Sequence, residues 1–496
     1  MTTLAPRRRD RIRTTIALIV AFAALTLPGI LLTGDLRREG DSGPKYLVNE
    51  AGDQEKFHLP VIRQFAAEWP DVDLVNYHSA TSPGYHLFMA GIVKVFGDHV
   101  VLLQLVNAGI SLLLLINVAR GAARLISPTF AAFAAAPLLC SSYFLGSSIW
   151  LTTDNAALLF VTLALGSAAL APANPIRSLR QGVFAALAVA TRQLHVWLAA
   201  PILISAAHRS GFFEKWVPKV PVAEHPPRPG GMPALVAGVM GAAMPFAVLG
   251  YFVWLWGGLI PPQYRDLHGG GDVESVAGSA NFALPALALS LLGALGVFYL
   301  PVARKQLRAL RPTDPLVILC VVVGLVAALA PATSFDPAAG RRYGWMWEII
   351  RRLPAPMDRS VAPMVLAPLG TLMVLLLWRT AKAAGRARQA SILVFGLVCW
   401  MTAQTANAQA WQRYCEPLIL IFLAWMACLA ARPWRRRGTD SVDDPTLIGA
   451  NEPPATWENR DRLWPRIERA GPAALAALQL ALSIYTLYWP IFSRKG

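Results

Sequence analysis

Long apolar runs alternate with polar stretches along most of the chain. Residues 14–33 (TTIALIVAFAALTLPGILLT) are almost uninterruptedly hydrophobic, and a helix of about 20 such residues is long enough to cross a bilayer. Similar runs near 99–118, 128–146, 153–171, 233–256, 282–301, 314–332, 361–379, 390–407, 414–431 and 471–489 predict further crossings. The stretch 181–207 is also apolar, but TRQLH interrupts it at residues 191–195. A basic side chain at mid-membrane is costly unless it faces a cavity or a partner. This stretch therefore predicts a re-entrant pair of half-helices, with Arg192 and Gln193 at the tip inside protein.

Composition agrees with that pattern. Hydrophobic residues make up 55% of the 496, which points to an all-α polytopic membrane protein of about 11–13 transmembrane or re-entrant segments. The net charge of +16 does not indicate nucleic acid, because the basic residues cluster in short loops between apolar runs, where they set orientation. With the N-terminus cytoplasmic and 181–207 re-entrant, 29 Lys/Arg fall on the cytoplasmic side and 15 on the other. A full crossing at 181–207 would move the eight basic residues of 432–470 outward, against the positive-inside tendency. The first 30 residues resemble a signal peptide, but the apolar core is long and lacks a small-residue cleavage site, so a retained first helix is expected. Cys140, Cys320, Cys399, Cys415 and Cys428 form no CxxC pair and read as packing residues.

These boundaries predict a multi-span catalytic domain over 1–431, a disordered cytoplasmic linker over 432–470, and a final span and tail over 471–496. Three substantial segments, 34–98, 257–281 and 333–360, then share the non-cytoplasmic side. The first carries ten Asp/Glu and is too long to serve only as a turn. Within it, Pro60 marks the start of a helix. Val61, Ile62, Phe65 and Trp69 fall at helical spacing, which predicts an amphipathic helix on the membrane surface preceded by a turn over Asp53 to His58.

Several residues in these segments are suited to chemistry. Removing a proton from a sugar hydroxyl during attack needs a positioned carboxylate, and Asp53 and Glu55 are the candidates; the bland alternative is a helix cap or a solvated charge. Asp71 and Asp73 read as solvated. His58 and His78 are candidate hydrogen-bond donors to a phosphate, while His86, on an apolar run, reads as a buried histidine. No metal-ligand spacing such as HExxH occurs. Arg192 offers a planar fork for phosphate oxygens, against the alternative of a structural ion pair. Arg341, Arg342 and Tyr343 lie beside Trp345 and Trp347 and suit an anionic headgroup, or else an interfacial belt. Arg413 and Tyr414 invite the same comparison. Glycines 269–271 suggest a flexible loop and not a phosphate-binding P-loop, since no GK[ST] follows.

In chain order, EKFHLPVIRQFAAEW, TSPGYHLF, TRQLHVW, WGGLIPPQYRDLHGGGDVES, GRRYGWMW and QRYCEPLILIF resemble the membrane α-1,2-glucosyltransferases that add the terminal glucose to the lipid-linked oligosaccharide of N-glycosylation. The resemblance implies a GT-C fold, a polyprenyl-phosphate glucose donor, a lipid-linked glycan acceptor, inverting transfer and no dissociable metal or other cofactor. It matches Glu55 and His58 to an acidic-x-Phe-His element and Arg192 with Gln193 to an Arg-Gln pair. Arg341 and Tyr343 match an Arg-x-Tyr element, and Arg413 with Tyr414 a late Arg-Tyr. Gln54, Gly340 and Arg342 depart from the family's usual Asp, Asn and His. The Ala- and Arg-rich composition suggests a bacterial relative in the inner membrane, with its site on the non-cytoplasmic face. A sibling GT-C transferase for mannose, arabinose or protein O-glycosylation is an alternative. A transporter or flippase of a lipid-linked substrate is another.

Overall fold

The computed structural model describes residues 4–32, 37–38, 45–46, 48–170, 175–210, 231–268, 281–431 and 458–489. Glycines 269–271 and residues 432–457 of the polar linker lie outside them. Apart from a two-residue strand pair (Arg37–Arg38 with Lys45–Tyr46) and one isolated bridge, the described secondary structure is helical. The first half comprises α1 (Leu4–Leu32), α2 (Asn49–Asp53), a π turn (Gln54–His58), α3 (Leu59–Glu68), α4 (Gly84–Phe96), α5 (Val100–Ala123), α6 (Pro128–Leu139), α7 (Ser142–Ile149) and α8 (Asp154–Leu170). It continues through α9 (Pro175–Thr191), a 3₁₀ turn (Gln193–Leu198), α10 (Ala199–Arg209), α11 (Gly231–Trp256) and α12 (Pro262–His268). The second half is built mainly on helices 283–296, 300–308, 315–329, 345–352, 361–383, 387–404, 416–430 and 458–483.

Seven helices among the described residues are long and apolar enough to span a membrane. The protein is therefore an all-α, multi-pass membrane protein. Some expected crossings are shorter or broken. The run 128–146 is two helices bent by 74° at Cys140 and Ser141, three residues after Pro137, whose missing N–H weakens the helix there. The run 153–171 forms a 17-residue helix and 314–332 a 15-residue one. Residues 458–470, expected in the disordered linker, are the first turns of the last helix. All five cysteines are free.

Across 175–209 the chain doubles back. Gly182 of α9 packs against Gly241 of α11, and Gly241 in turn faces Ser178 of α9 and Ile202 of α10. The start of α9 and the body of α10 thus lie at one level of α11, with Arg192 at the far end between them. Backbones this close leave no room for a Cβ, so glycine at 182 and 241 is a packing requirement.

The first segment departs furthest from expectation. Residues 53–58 are helical, not a turn, and α2, the π turn and α3 run on continuously. Nor does α3 lie on a membrane surface. Leu59 and Ile62 pack with Tyr85, Met89 and Leu103, while Val61 and Phe65 pack with Tyr77, Phe252 and Trp256. Trp69, expected on the same face, is 46% exposed. Helices α4, α5 and α11 cover the apolar face that the lipid was expected to cover.

Candidate active site

The described parts of all three long segments meet at one end of the bundle. Trp256 donates to the carbonyl of Leu74, and Gln193 donates to the carbonyls of Ala80 and Leu259. Asn281 bonds the carbonyl of Ala408, and Trp347 that of Ala410. This weave holds the 192–195 tip and the 411–414 turn at one cavity.

Asp154, Leu158, Arg192, Leu194, His195, Trp400, Gln404, Arg413 and Tyr414 line that cavity. Two ion pairs organise it, Arg192 with Asp154 and Arg413 with Asp53. The four side chains are only 10–17% exposed, so neither pair is a solvated surface contact, and removing one partner leaves a buried charge. The guanidinium of Arg192 sits 4.6 Å from the centroid of the Tyr414 ring, and that of Arg413 lies 5.0 Å from Tyr414 and 4.8 Å from Trp411. Such contacts favour a cation out of water. Arg413 also donates to the Tyr414 hydroxyl at 3.1 Å, yet its Nε is buried without a hydrogen-bond partner. An unsatisfied buried donor costs free energy, and an anionic oxygen would satisfy it.

The helix carrying Asp53 sorts the nearby carboxylates. Glu50 precedes Asp53 by three residues and shares its face, whereas Glu55, two residues on, lies on the opposite side by the helical period. Glu50 is buried, against Gly146. Burial pushes its carboxyl up from the ordinary range, while the Arg413 charge opposes that shift. Gln54 is not at the cavity: its carbonyl accepts from Gln104 at 3.1 Å and from the Leu151 N–H at 3.0 Å.

Other candidates are placed away from the cavity or held in structural bonds. His58 is buried, with Nδ1 3.0 Å from Nε2 of His86. Burial, then the charges of Arg413 and Arg192, push its imidazole down to about 3. It is thus a neutral partner in a buried histidine pair. Gln193 accepts from the Ser82 N–H and hydroxyl and donates to two carbonyls, so it clamps the 80–82 loop to the tip. Arg341 bonds the Ser334 carbonyl and Asp336 and braces its own loop. Arg342 lies 5.0 Å from the ring of Tyr343, which meets Trp411 edge-on at 5.1 Å. Tyr343 is left-handed at φ 61° and is followed by Gly344 at φ 140°, where a side chain would strike Gln412. His78 stands 5.2 Å from Phe57 and 5.7 Å from Tyr264, ring to ring.

Sequence reasoning missed Asp154, Glu50, Glu416 and Tyr264. Asp154 had a signal, since it is the only acid between Asp98 and Glu214. Glu416, fully buried, accepts from Ser141, Trp345 and Gln412 and so fixes the turn that carries Arg413 and Tyr414. Among the described residues no group of three or more His, Cys, Asp or Glu is gathered as metal ligands.

No protein-family model and no curated protein matches this chain. Among solved structures, ArnT from Cupriavidus metallidurans is similar in its apo state at 13% identity, covering 83% of this chain and 77% of that one, with a TM-score of 0.35. The same protein bound to undecaprenyl phosphate is similar at 14% identity, covering 83% and 76%, also with a TM-score of 0.35.

Proposed function

We propose that this protein is an integral membrane glycosyltransferase of the GT-C type. It moves a hexose, glucose on the sequence resemblance, from a polyprenyl-phosphate donor to a hydroxyl of a lipid-linked glycan, on the non-cytoplasmic face of a bacterial inner membrane. The observation that carries this reading is Arg413: its buried, unpartnered Nε lies at a cavity shared with Arg192, beside the carboxylate of Asp53. A donor phosphate binds the two arginines. Negative charge grows on that phosphate as the sugar departs, so fixed cations stabilise the transition state more than the ground state. Asp53 takes the proton of the attacking hydroxyl, and Glu55 orients the acceptor or His58 by a hydrogen bond. Tyr414, Trp411 and Tyr343 form the aromatic wall along which the donor sugar lies, with Arg342 at its edge.

Membranes containing the protein, supplied in turn with labelled polyprenyl-phosphate glucose, mannose and arabinose, test this reading. The glucose donor is expected to yield a labelled lipid-linked product, and Asp53→Asn to abolish it. A product from another donor alone would keep the transferase and change the sugar. Movement of labelled lipid across vesicles without transfer would replace the transferase by a flippase.

A further inference from the structure

A hexose acceptor has to present its hydroxyl to Asp53, and three aromatic rings flank that position. Phe57 lies four residues after Asp53, and four residues of the wider π turn return close to the same face. The Phe57 ring is 5.2 Å from His78 and 6.0 Å from Tyr264, with His78 and Tyr264 5.7 Å apart. The rings come from three separate segments: the π turn, the loop before α4, and α12. A second aromatic cluster about two helical turns along sets the standard for packing alone. There Phe65, Tyr77 and Trp256 are at most 2% exposed, whereas Phe57, His78 and Tyr264 are each only partly buried.

We infer that Phe57, His78 and Tyr264 form the acceptor subsite, a platform for one pyranose ring of the acceptor glycan next to Asp53. This rests on the transferase reading above. The C–H face of a hexose is apolar and packs on aromatic faces, while its hydroxyls need polar groups at the rim. Tyr264 supplies a hydroxyl and His78 a ring nitrogen. Burial, then the nearby Tyr414 and Asp53, push the Tyr264 phenol up to about 12, so it stays a donor at neutral pH. The charged cavity thus takes the lipid phosphate and the aromatic cluster takes the sugar to be extended, with Asp53 between them.

Saturation-transfer NMR on the purified full chain, with methyl α-D-glucopyranoside as probe and polyprenyl phosphate as a separate ligand, tests the division. Phe57→Leu and Tyr264→Leu are expected to weaken glycoside binding several-fold, up to about tenfold, and to leave polyprenyl-phosphate binding unchanged. Tyr264→Phe keeps the ring and should lose less. Unchanged glycoside affinity in both leucine variants, or no saturable binding to the natural chain, would overturn the subsite. So would parallel loss of both ligands in the leucine variants with Tyr264→Phe intact, which marks a structural brace. Ring-dependent glycoside binding without transfer from any donor would sink the transferase reading and leave the sugar site standing.

Discussion

Two ends of the bundle each hold a partly buried arginine, and they use it differently. At the end away from the cavity, Arg386 donates to the carbonyls of Cys428, Leu429 and Ala431 and to that of Leu125. Its charge completes the C-terminus of the 416–430 helix, where carbonyls lack intrahelical partners. At the cavity end, Arg413 opens the same helix and is held by a carboxylate and two aromatic rings, with one N–H unsatisfied. Burial alone therefore does not mark a functional arginine. A cation satisfied by main-chain carbonyls is a brace, and one balanced by a displaceable acid beside a cavity is poised to bind.

The sharpest way to break this comparison is at Asp53. Asp53→Asn keeps the shape and removes the charge, and turnover at saturating donor should fall by about 10²- to 10⁴-fold. Glu55→Gln should fall less, because Glu55 lies across the helix from Asp53. The reverse ranking would move the base to Glu55.

A smaller effect is expected at the donor. Arg192→Lys keeps charge but loses the fork, and donor affinity should weaken by about 10- to 100-fold, the scale of one charge-assisted hydrogen bond. Arg386→Lys should leave donor affinity untouched. Equal donor affinities for Arg192→Lys and the natural protein would reduce Arg192 to a second brace.

Arg386→Ala should act on stability alone. It strips several carbonyls of their donor and should cost about 1–3 kcal/mol, seen as a lower melting temperature in detergent with turnover per folded molecule unchanged. A loss of turnover without loss of stability would erase the distinction between the two ends.

The smallest effect is a pH dependence from His58. Its folded pKa, about 3, lies below the ordinary 6.5. Between those values the unfolded chain binds more protons, so stability is full above about pH 6.5 and declines as pH falls toward 3. By pH 5.5 the loss is on the order of 1 kcal/mol for this one group. His58→Gln should flatten that slope in thermal melts; an unaltered slope would place the titration elsewhere.

How much was legible depended on whether a residue's partner was near in sequence. Apolar period and length located the long helices, and Pro60 marked the start of α3 because its constraint is local. TRQLH announced a break because an arginine inside an apolar run is locally improbable. What could not be read were distant partners. Asp154 lies 38 residues from Arg192, and Asp53 lies 360 residues from Arg413. Gln193 has the composition of a ligand-binding residue, yet its amide is fully engaged by residues 80–82 and 259. For α3 the period identified an apolar face correctly, but whether protein or lipid covers such a face depends on α11, almost 200 residues later.

The π turn at Gln54–His58 holds one more residue than an α-helical turn would, in about the same rotation. Removing that residue would restore a regular helix and leave Asp53 and Glu50 facing much as before, with the Arg413 pair still made. A deletion within the regular turns of α3 has no such spare residue: it would rotate everything upstream by about 100° and swing Asp53 away from Arg413. The turn is where this segment can change length by one residue and keep its charge pair.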